Sequence, residues 1–456
     1  QSVSADDDRL EKVYSHFDAN LRDIVRILRD SGTQVMVSTV GANLVDHSPF
    51  ASVFGQVGLE NPLAWVKLYA TAIAPLEAGE REDAVAAFEM ANRVDSTHAE
   101  SHFRLAHLYL ERGDTVSARD QFVRARDFDA LRFRVDSRLN DMIRRIGTEL
   151  NPRLVDAARV LGERDRSRIG LPGNDLFHEH VHLTFRGNYL VASAFADQLY
   201  PFISGRTHYW DEASASPELP SLTVCEADLA LTAFDRYRLY ATVSGLMGRS
   251  PFTHQFDYLE KRKRINARVD SLRAAGTSFS GVGGSLRAYQ LATDGRPKDL
   301  VLQQNHARIL QETGALVAAT KRWKQLLTKI PDAPTWRLAS ATSLSDQGAH
   351  QAALYAYREL ERMMPRLVLP HIQIGYELVS AGQIGEAIHV LGNALRINPG
   401  SMVARLNLAS LYEDVGQFDA ADSVIAWGLT LVRDRDDQQS EAELLVGQGE
   451  LLSQRK

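Results

Sequence analysis

The sequence predicts a mainly α-helical chain with a smaller α/β part. One register recurs every 34 residues from about position 300 onward, and the same register occurs once earlier, within residues 61–130. Around the earlier stretch, helical apolar spacing alternates with short β-rich runs, the pattern of helices packed on a small parallel sheet.

The later register has three aligned columns. Gly314, Gly348, Gly382 and Gly416 form the first, Ala319, Ala353, Ala387 and Ala421 the second, and the bulky Trp323, Tyr357, Leu391 and Ile425 the third. Pro365 and Pro399 close their units, with Asp332 in the same column. The chemistry suits a helix–turn–helix unit: glycine permits the turn, alanine lets two helices approach, and the large residue fills the space between units. This pattern resembles the tetratricopeptide repeat over roughly 298–433. It implies a solenoid domain at 298–435, with a helix or tail at 436–456. The concave face of such an array suits a protein or peptide partner. Trp323, Tyr357 and Phe418 fall at helix-packing positions and are expected in its core.

The earlier units align Gly79 with Gly113, Ala84 with Ala118, Phe88 with Phe122 and Asp95 with Asp129. Two repeats alone are marginally stable, so this pair, spanning 61–129, is expected to lean on its flanks. Residues 18–30 carry Leu21, Ile24, Val25, Ile27 and Leu28 at helical spacing, and Ser31-Gly32 ends that helix. Gln34–Val40 is an apolar β-rich run, 136–148 a helix, 153–157 a short strand and 187–199 a final helix. The α/β part is thus expected over 1–60 and 130–200, with the repeats inserted. Residues 201–225, rich in Ser, Pro and Glu, read as a linker and 226–297 as a helical connector. Within the connector, Thr277–Ser285 with Gly281, Gly283 and Gly284 reads as a flexible joint.

Composition excludes several classes. The 456 residues are 44% hydrophobic and 24% charged, ordinary for a globular protein of two or three domains. A net charge of −6 gives no global pull toward nucleic acid. The single Cys225 rules out a disulfide framework or thiolate zinc site within one chain. No apolar run nears the roughly eighteen residues that span a bilayer. The first residue is Gln1, which reads as a processed or partial chain.

One stretch points at chemistry: Phe177-His178-Glu179-His180-Val181-His182-Leu183-Thr184-Phe185-Arg186-Gly187-Asn188. An acid that orients a histidine is half of a hydrolytic triad. Together with Asn20-Leu21-Arg22-Asp23, Ser38-Thr39-Val40, Asn43-Leu44-Val45-Asp46 and Ser48-Pro49-Phe50-Ala51-Ser52, it is similar to the later half of bacterial SGNH/GDSL-type hydrolases fused to tetratricopeptide repeats. That resemblance implies a partial parallel-sheet hydrolase domain, an ester substrate, and a loop acid and base at Glu179 and His182. A second register, Asp175 with His178, is also present; the Leu-Thr-x-x-Gly that follows His182 favours the first. The family's Gly-x-Ser block has no counterpart, because Gly283-Gly284-Ser285 falls after the histidine. The resemblance therefore places the nucleophile and oxyanion donors ahead of Gln1, along with any membrane anchor or export segment. The chain alone is expected to be inactive, with an incomplete sheet prone to association. The competing reading is a non-catalytic scaffold on a structural α/β platform.

Each residue singled out also has a plainer reading. Glu179 could cap its loop. His178, His180 and His182 alternate as metal ligands can, without a companion cluster, and neither metal nor cofactor is expected. Asn43 and His47 could contact a ligand near the sheet end, although such an Asn more often caps a turn. Lys261-Arg262-Lys263-Arg264 reads as a solvated helix face, and Gly281-Val282-Gly283-Gly284 lacks the remainder of a phosphate loop.

Overall fold

The structure is a computed structural model that describes residues 2–55, 62–167, 169–204, 219–433 and 438–454. It divides into two compact units: Gln1–Glu226 with Ala233–Ser278, and Ala227–Thr232 with Phe279–Lys456.

The first unit begins with α1 (Arg9–Asp30) and β1 (Met36–Ser38). An inserted stretch follows, α2 (Pro62–Ala78), α3 (Arg81–Val94), α4 (Ala99–Glu111) and α5 (Thr115–Asp127). The chain then returns through α6 (Ser137–Leu150), β2 (Arg153–Val155), α7 (Ala157–Arg164) and α8 (Phe185–Ser204). The strands pair in parallel, Met36 with Arg153, Val37 with Leu154 and Ser38 with Val155. On one side Val25 of α1, Val37, and Ile143 and Ile146 of α6 form a buried cluster. A second cluster gathers Leu161, Leu176 and Phe177 with Leu190 and Val191 of α8. Two strands thus sit in a helical frame.

That sheet corrects the expectation of a hydrolase-like parallel sheet, since among the described residues it has two strands of three residues each. The β-rich run Gln34–Val40 stops pairing after Thr39, whose N–H donates to the Val155 carbonyl. The Val40 N–H turns instead to the Asn140 side chain at 2.8 Å, ending the ladder. What remains is a small parallel layer whose helices, not its strands, contribute most of the apolar burial.

The linker expected over 201–225 is also shorter than read. Its start belongs to α8 and its end to α9 (Leu222–Asp228), while residues 205–218 lie outside the described residues. The first unit finishes with α10 (Ala233–Met247), a 3₁₀ turn at Phe252–His254, and α11 (Tyr258–Gly276).

The second unit is an array of helix pairs: α12 (Phe279–Gly295), α13 (Leu300–Glu312), α14 (Leu316–Leu327), α15 (Pro334–Asp346), α16 (His350–Met363), α17 (Val368–Ser380), α18 (Ile384–Ile397), α19 (Met402–Asp414), α20 (Phe418–Arg433) and α21 (Gln438–Gln454). The glycine-rich stretch read as a flexible joint is instead the first half of α12. Three glycines weaken a helix, but Ser285 and Tyr289 are buried on its next turns, with Tyr289 against His306. Packing overrides propensity there.

The 34-residue columns have clear physical roles. Gly79, Gly113, Gly314, Gly348, Gly382 and Gly416 all adopt φ between +72° and +84°, closing the turn between paired helices. Ala84, Ala118, Ala319, Ala353, Ala387 and Ala421 are completely buried. The third column, from Phe88 through Ile425, is at most 3% exposed. Phe418 departs from its expected core position; it opens α20 and is 44% exposed.

Truncating the third column is expected to unlock neighbouring pairs. Leu391→Ala should cost about 2–5 kcal/mol in urea unfolding, whereas Val403→Ala, on an exposed position, should stay within about 0.5 kcal/mol. Equal effects would show that the column does not interlock the array.

Candidate functional site

The loop between Pro172 and α8 is built by its own backbone. Phe177 and Leu183 form an antiparallel bridge, the His178 N–H donates to the His182 carbonyl, and the Thr184 N–H donates to the Leu176 carbonyl. The Thr184 hydroxyl then accepts the Gly187 N–H at 3.1 Å, capping α8. Gly187 is required because a Cβ there would lie 2.4 Å from the Leu176 carbonyl oxygen. The Leu-Thr-x-x-Gly pattern is thus a cap plus a close approach.

Within this loop Glu179 is fully buried and His182 is 67% exposed at the side chain. Glu179 Oε1 lies 2.5 Å from His182 Nδ1 and accepts the His182 N–H at 2.7 Å. The other carboxylate oxygen touches His180 Nδ1. Asp175 makes no such pair with His178: it is bonded to Arg186, and Arg166 lies 3.5 Å away. The structure therefore brings Glu179 and His182 together and keeps Asp175 and His178 apart.

The three alternate histidines do not converge. His180 packs edge-on against Phe50 and Phe252 at 5.0 and 5.4 Å, while His178 meets Tyr240 at 5.0 Å. Among the described residues, no three His, Cys, Asp or Glu side chains are grouped as metal ligands. Burial pushes the His178 and His180 imidazoles down to about 4, helped by the charge of His182 on the first and of Arg134 on the second.

Asn43 and His47 sit beside the same loop, both buried. The Asn43 N–H donates to the His180 carbonyl, its side-chain oxygen accepts the Asp46 N–H at 3.0 Å, and its amide nitrogen donates to Asn174. His47 lies 5.4 Å from the His180 ring and 3.0 Å from the Gln255 amide. Burial, followed by the charges of Lys261 and Arg134, holds its pKa well below 6.5.

The basic run at 261–264 is only partly a solvated face. Lys261 is buried, with Nζ 2.7 Å from Ser48 Oγ and 3.1 Å from Asp257, and burial lowers its pKa to about 8 against the raising effect of Asp257. With Arg264, Ile265 and Arg268 it lines a cavity of about 170 Å³ beside His178, Glu179, Asp46 and His47. The signal for these residues was the i, i+3, i+7 spacing of three cations on one helix, which a charge count alone does not separate from a wet surface.

Sequence comparison agrees with the helix pairs. A tetratricopeptide-repeat family model matches residues 69–130, and a second matches 378–440. Both stretches are tetratricopeptide repeats. The uncharacterized protein ycf37 of Pyropia yezoensis is 36% identical over 83 residues, which is 18% of this chain. The match spans 47% of that relative, under half its length. Among solved structures, MamA is 17% identical, covering 34% of this chain and 92% of its own, with a TM-score of 0.32. A thermophilic repeat protein of Thermus thermophilus is 22% identical over 40% of this chain and 96% of its own, TM-score 0.29. YrrB, described as having an unusual peptide-binding site, is 17% identical over 36% and 93%, TM-score 0.28. The tetratricopeptide stretch at 69–130 ends directly beside the Glu179 corner, because Asp129 bonds the Phe50 and Ala51 amides. No helix of the described residues is long and apolar enough to cross a membrane.

Acid should destabilise this corner. Unfolded histidines take up a proton near pH 6.5, whereas folded His178 and His180 do so only near 4. Between those values the unfolded chain binds more protons, so stability is intact above pH 6.5 and declines as pH falls toward 4. Hydrogen exchange of residues 172–190 should accelerate across that window, and His178→Gln should flatten the trend. A flat profile in the unmodified protein would contradict the burial of these rings.

Proposed function

We propose that the chain is a tetratricopeptide scaffold that holds a protein or peptide partner along the first helices of its C-terminal repeats. The observation that carries this reading is a stripe repeated in the 34-residue register. Val301, Thr335, Leu369 and Val403 are all exposed, and Asn305, Ala339, Gln373 and Asn407, one turn on, are all half-buried. Residues four apart on a helix share a face, so each first helix presents the same edge. Tyr376 adds an exposed ring one turn further along α17, and its hydroxyl accepts a hydrogen bond from Asn407 at 2.8 Å. Mixed apolar and amide side chains on a rigid, repeated frame suit an extended peptide, whose side chains and backbone need both kinds of contact.

A peptide-array screen on the full chain tests this. Peptides that bind should weaken about tenfold or more in Tyr376→Ala and Leu369→Ala. They should be unchanged in Val317→Ala, an exposed site on a second helix. Binding indifferent to the stripe would remove the reading.

A second reading is favoured by one specific contact, the buried Glu179 carboxylate on the Nδ1 side of the exposed His182 ring. Here Glu179 and His182 are the acid and base of an ester hydrolase in a protein that also supplies a serine hydroxyl and oxyanion donors. Glu179 accepts the Nδ1–H and fixes the tautomer, leaving Nε2 to take the hydroxyl proton and return it to the leaving group. Asn43 and His47 serve this reading as neighbours that seat the loop beside any ligand. In an active longer form, His182→Ala should lower turnover of a short-chain aryl ester at least about a thousandfold with an unchanged circular dichroism spectrum. Retained turnover would end this assignment.

A further inference from the structure

The cavity beside the Glu179 loop shares Glu179 and His47 with the second reading, but neither reading uses its apolar floor or Arg268. We propose that it binds a short-chain carboxylate of about six to eight heavy atoms, its apolar end on Phe177, Met247 and Ile265 and its head between Arg268 and His178. The volume, about 170 Å³, sets the size, since a cavity of about 150 Å³ accepts a six-carbon ring. Phe177, Met247 and Ile265 are at most 9% exposed and give the cavity an apolar floor.

The charge of the head follows from which lining groups are already engaged. Lys261 is held by Ser48 and Asp257. Asp46 accepts the Asn174 N–H at 2.7 Å, and Glu179 is turned to His180, His182 and its own loop amides. Arg264 approaches Glu260 at 3.9 Å. Arg268 forms no ion pair among the described residues and lies over the Tyr240 ring at 5.5 Å. His178 meets the same ring edge-on at 5.0 Å, and both of its nitrogens are buried with no hydrogen-bond partner. A cation and an unsatisfied imidazole thus flank one aromatic wall of the cavity. Leaving such an imidazole unpaired is unfavourable; a carboxylate that neutralises Arg268 offers it an acceptor once the ring, whose nitrogens are covered in this structure, turns toward the cavity. A doubly charged head suits the site less, because Asp46 and Glu179 also line it. A neutral head leaves the arginine unpaired.

Isothermal titration of the full chain with sodium hexanoate, 1-hexanol and inorganic phosphate decides this. Hexanoate should saturate, with the alcohol and phosphate at least about tenfold weaker. Arg268→Gln, at an exposed guanidinium whose loss leaves the fold intact, should weaken hexanoate about tenfold or more, and Arg268→Lys should recover part of the loss. Hexanoate binding is read without ester turnover, and Arg268 is no part of the Glu179–His182 pair, so this proposal and the hydrolase reading fail separately. Absence of saturation, equal binding of hexanol, or indifference to Arg268→Gln would each overturn it, leaving water as the occupant.

Discussion

One ion pair shut off from water, Asp129 with Arg134 at 3.0 Å, fixes the chemical corner of the first unit. Both side chains are 2% exposed, and an isolated charge at that depth is prohibitive. Apart from the Arg134 Nε, which is buried without a partner among the described residues, the remaining hydrogen bonds of the pair go to backbone. Asp129 accepts the amides of Phe50, Ala51 and Leu131, while Arg134 donates to the carbonyls of Asn43 and His47. The loop 43–51 is tied at both ends to the end of the inserted repeats, and through the Asn43 amide it sets the height of His180. Removing either charge would strand the other and release the loop.

This clamp gives the inserted repeats a second task. Asp95 and Asp129 occupy one column, 34 residues apart, and each lies just beyond a second helix. Asp95 accepts the Gly55 amide at 3.0 Å, as Asp129 accepts those of Phe50 and Ala51. A residue that ends a repeat is thereby turned into a hook for one long loop, twice. In the second unit the side-chain ties mostly join neighbouring helices, with the exposed Arg296–Asp228 ion pair reaching further, and its stability is close to a sum of neighbour contacts. Even its buried cation, Arg405, is satisfied locally, by the carbonyls of Val424 and Pro399 and by the Trp427 ring at 4.8 Å.

The repeats were legible because their period is a packing rule: a turn glycine, a contact alanine and a filler recur wherever helices pair. The sheet was less so. Nothing in Gln34–Val40 announces that Asn140 will take the Val40 amide and stop the ladder after Thr39. The glycines of α12 misled because local propensity was read without the buried Tyr289 that holds the helix. Lys261 was hidden for a related reason, since its burial depends on Ser48, more than two hundred residues away. Non-local partners are what a single sequence conceals.

The Glu179 loop separates the two functional readings residue by residue. Thr184 is accounted for as a helix cap, Gly187 by its approach to Leu176, and Glu179 in part by the amides of Val181 and His182. Much of the motif that resembles a hydrolase is therefore explained by folding alone, and a scaffold would keep it. His182 is the exception. It contributes little burial, yet its ring is held by a carboxylate that the fold has taken fully out of water. Desolvating a charge to orient an exposed imidazole is poor stability engineering, because the Coulombic gain of a half-exposed pair is small. Under the hydrolase reading proposed above, the same contact would present one nitrogen of a fixed tautomer outside the loop. His182 is thus the residue on which the two readings divide, while the inserted repeats hold the loop beside it through Asp129 and Arg134.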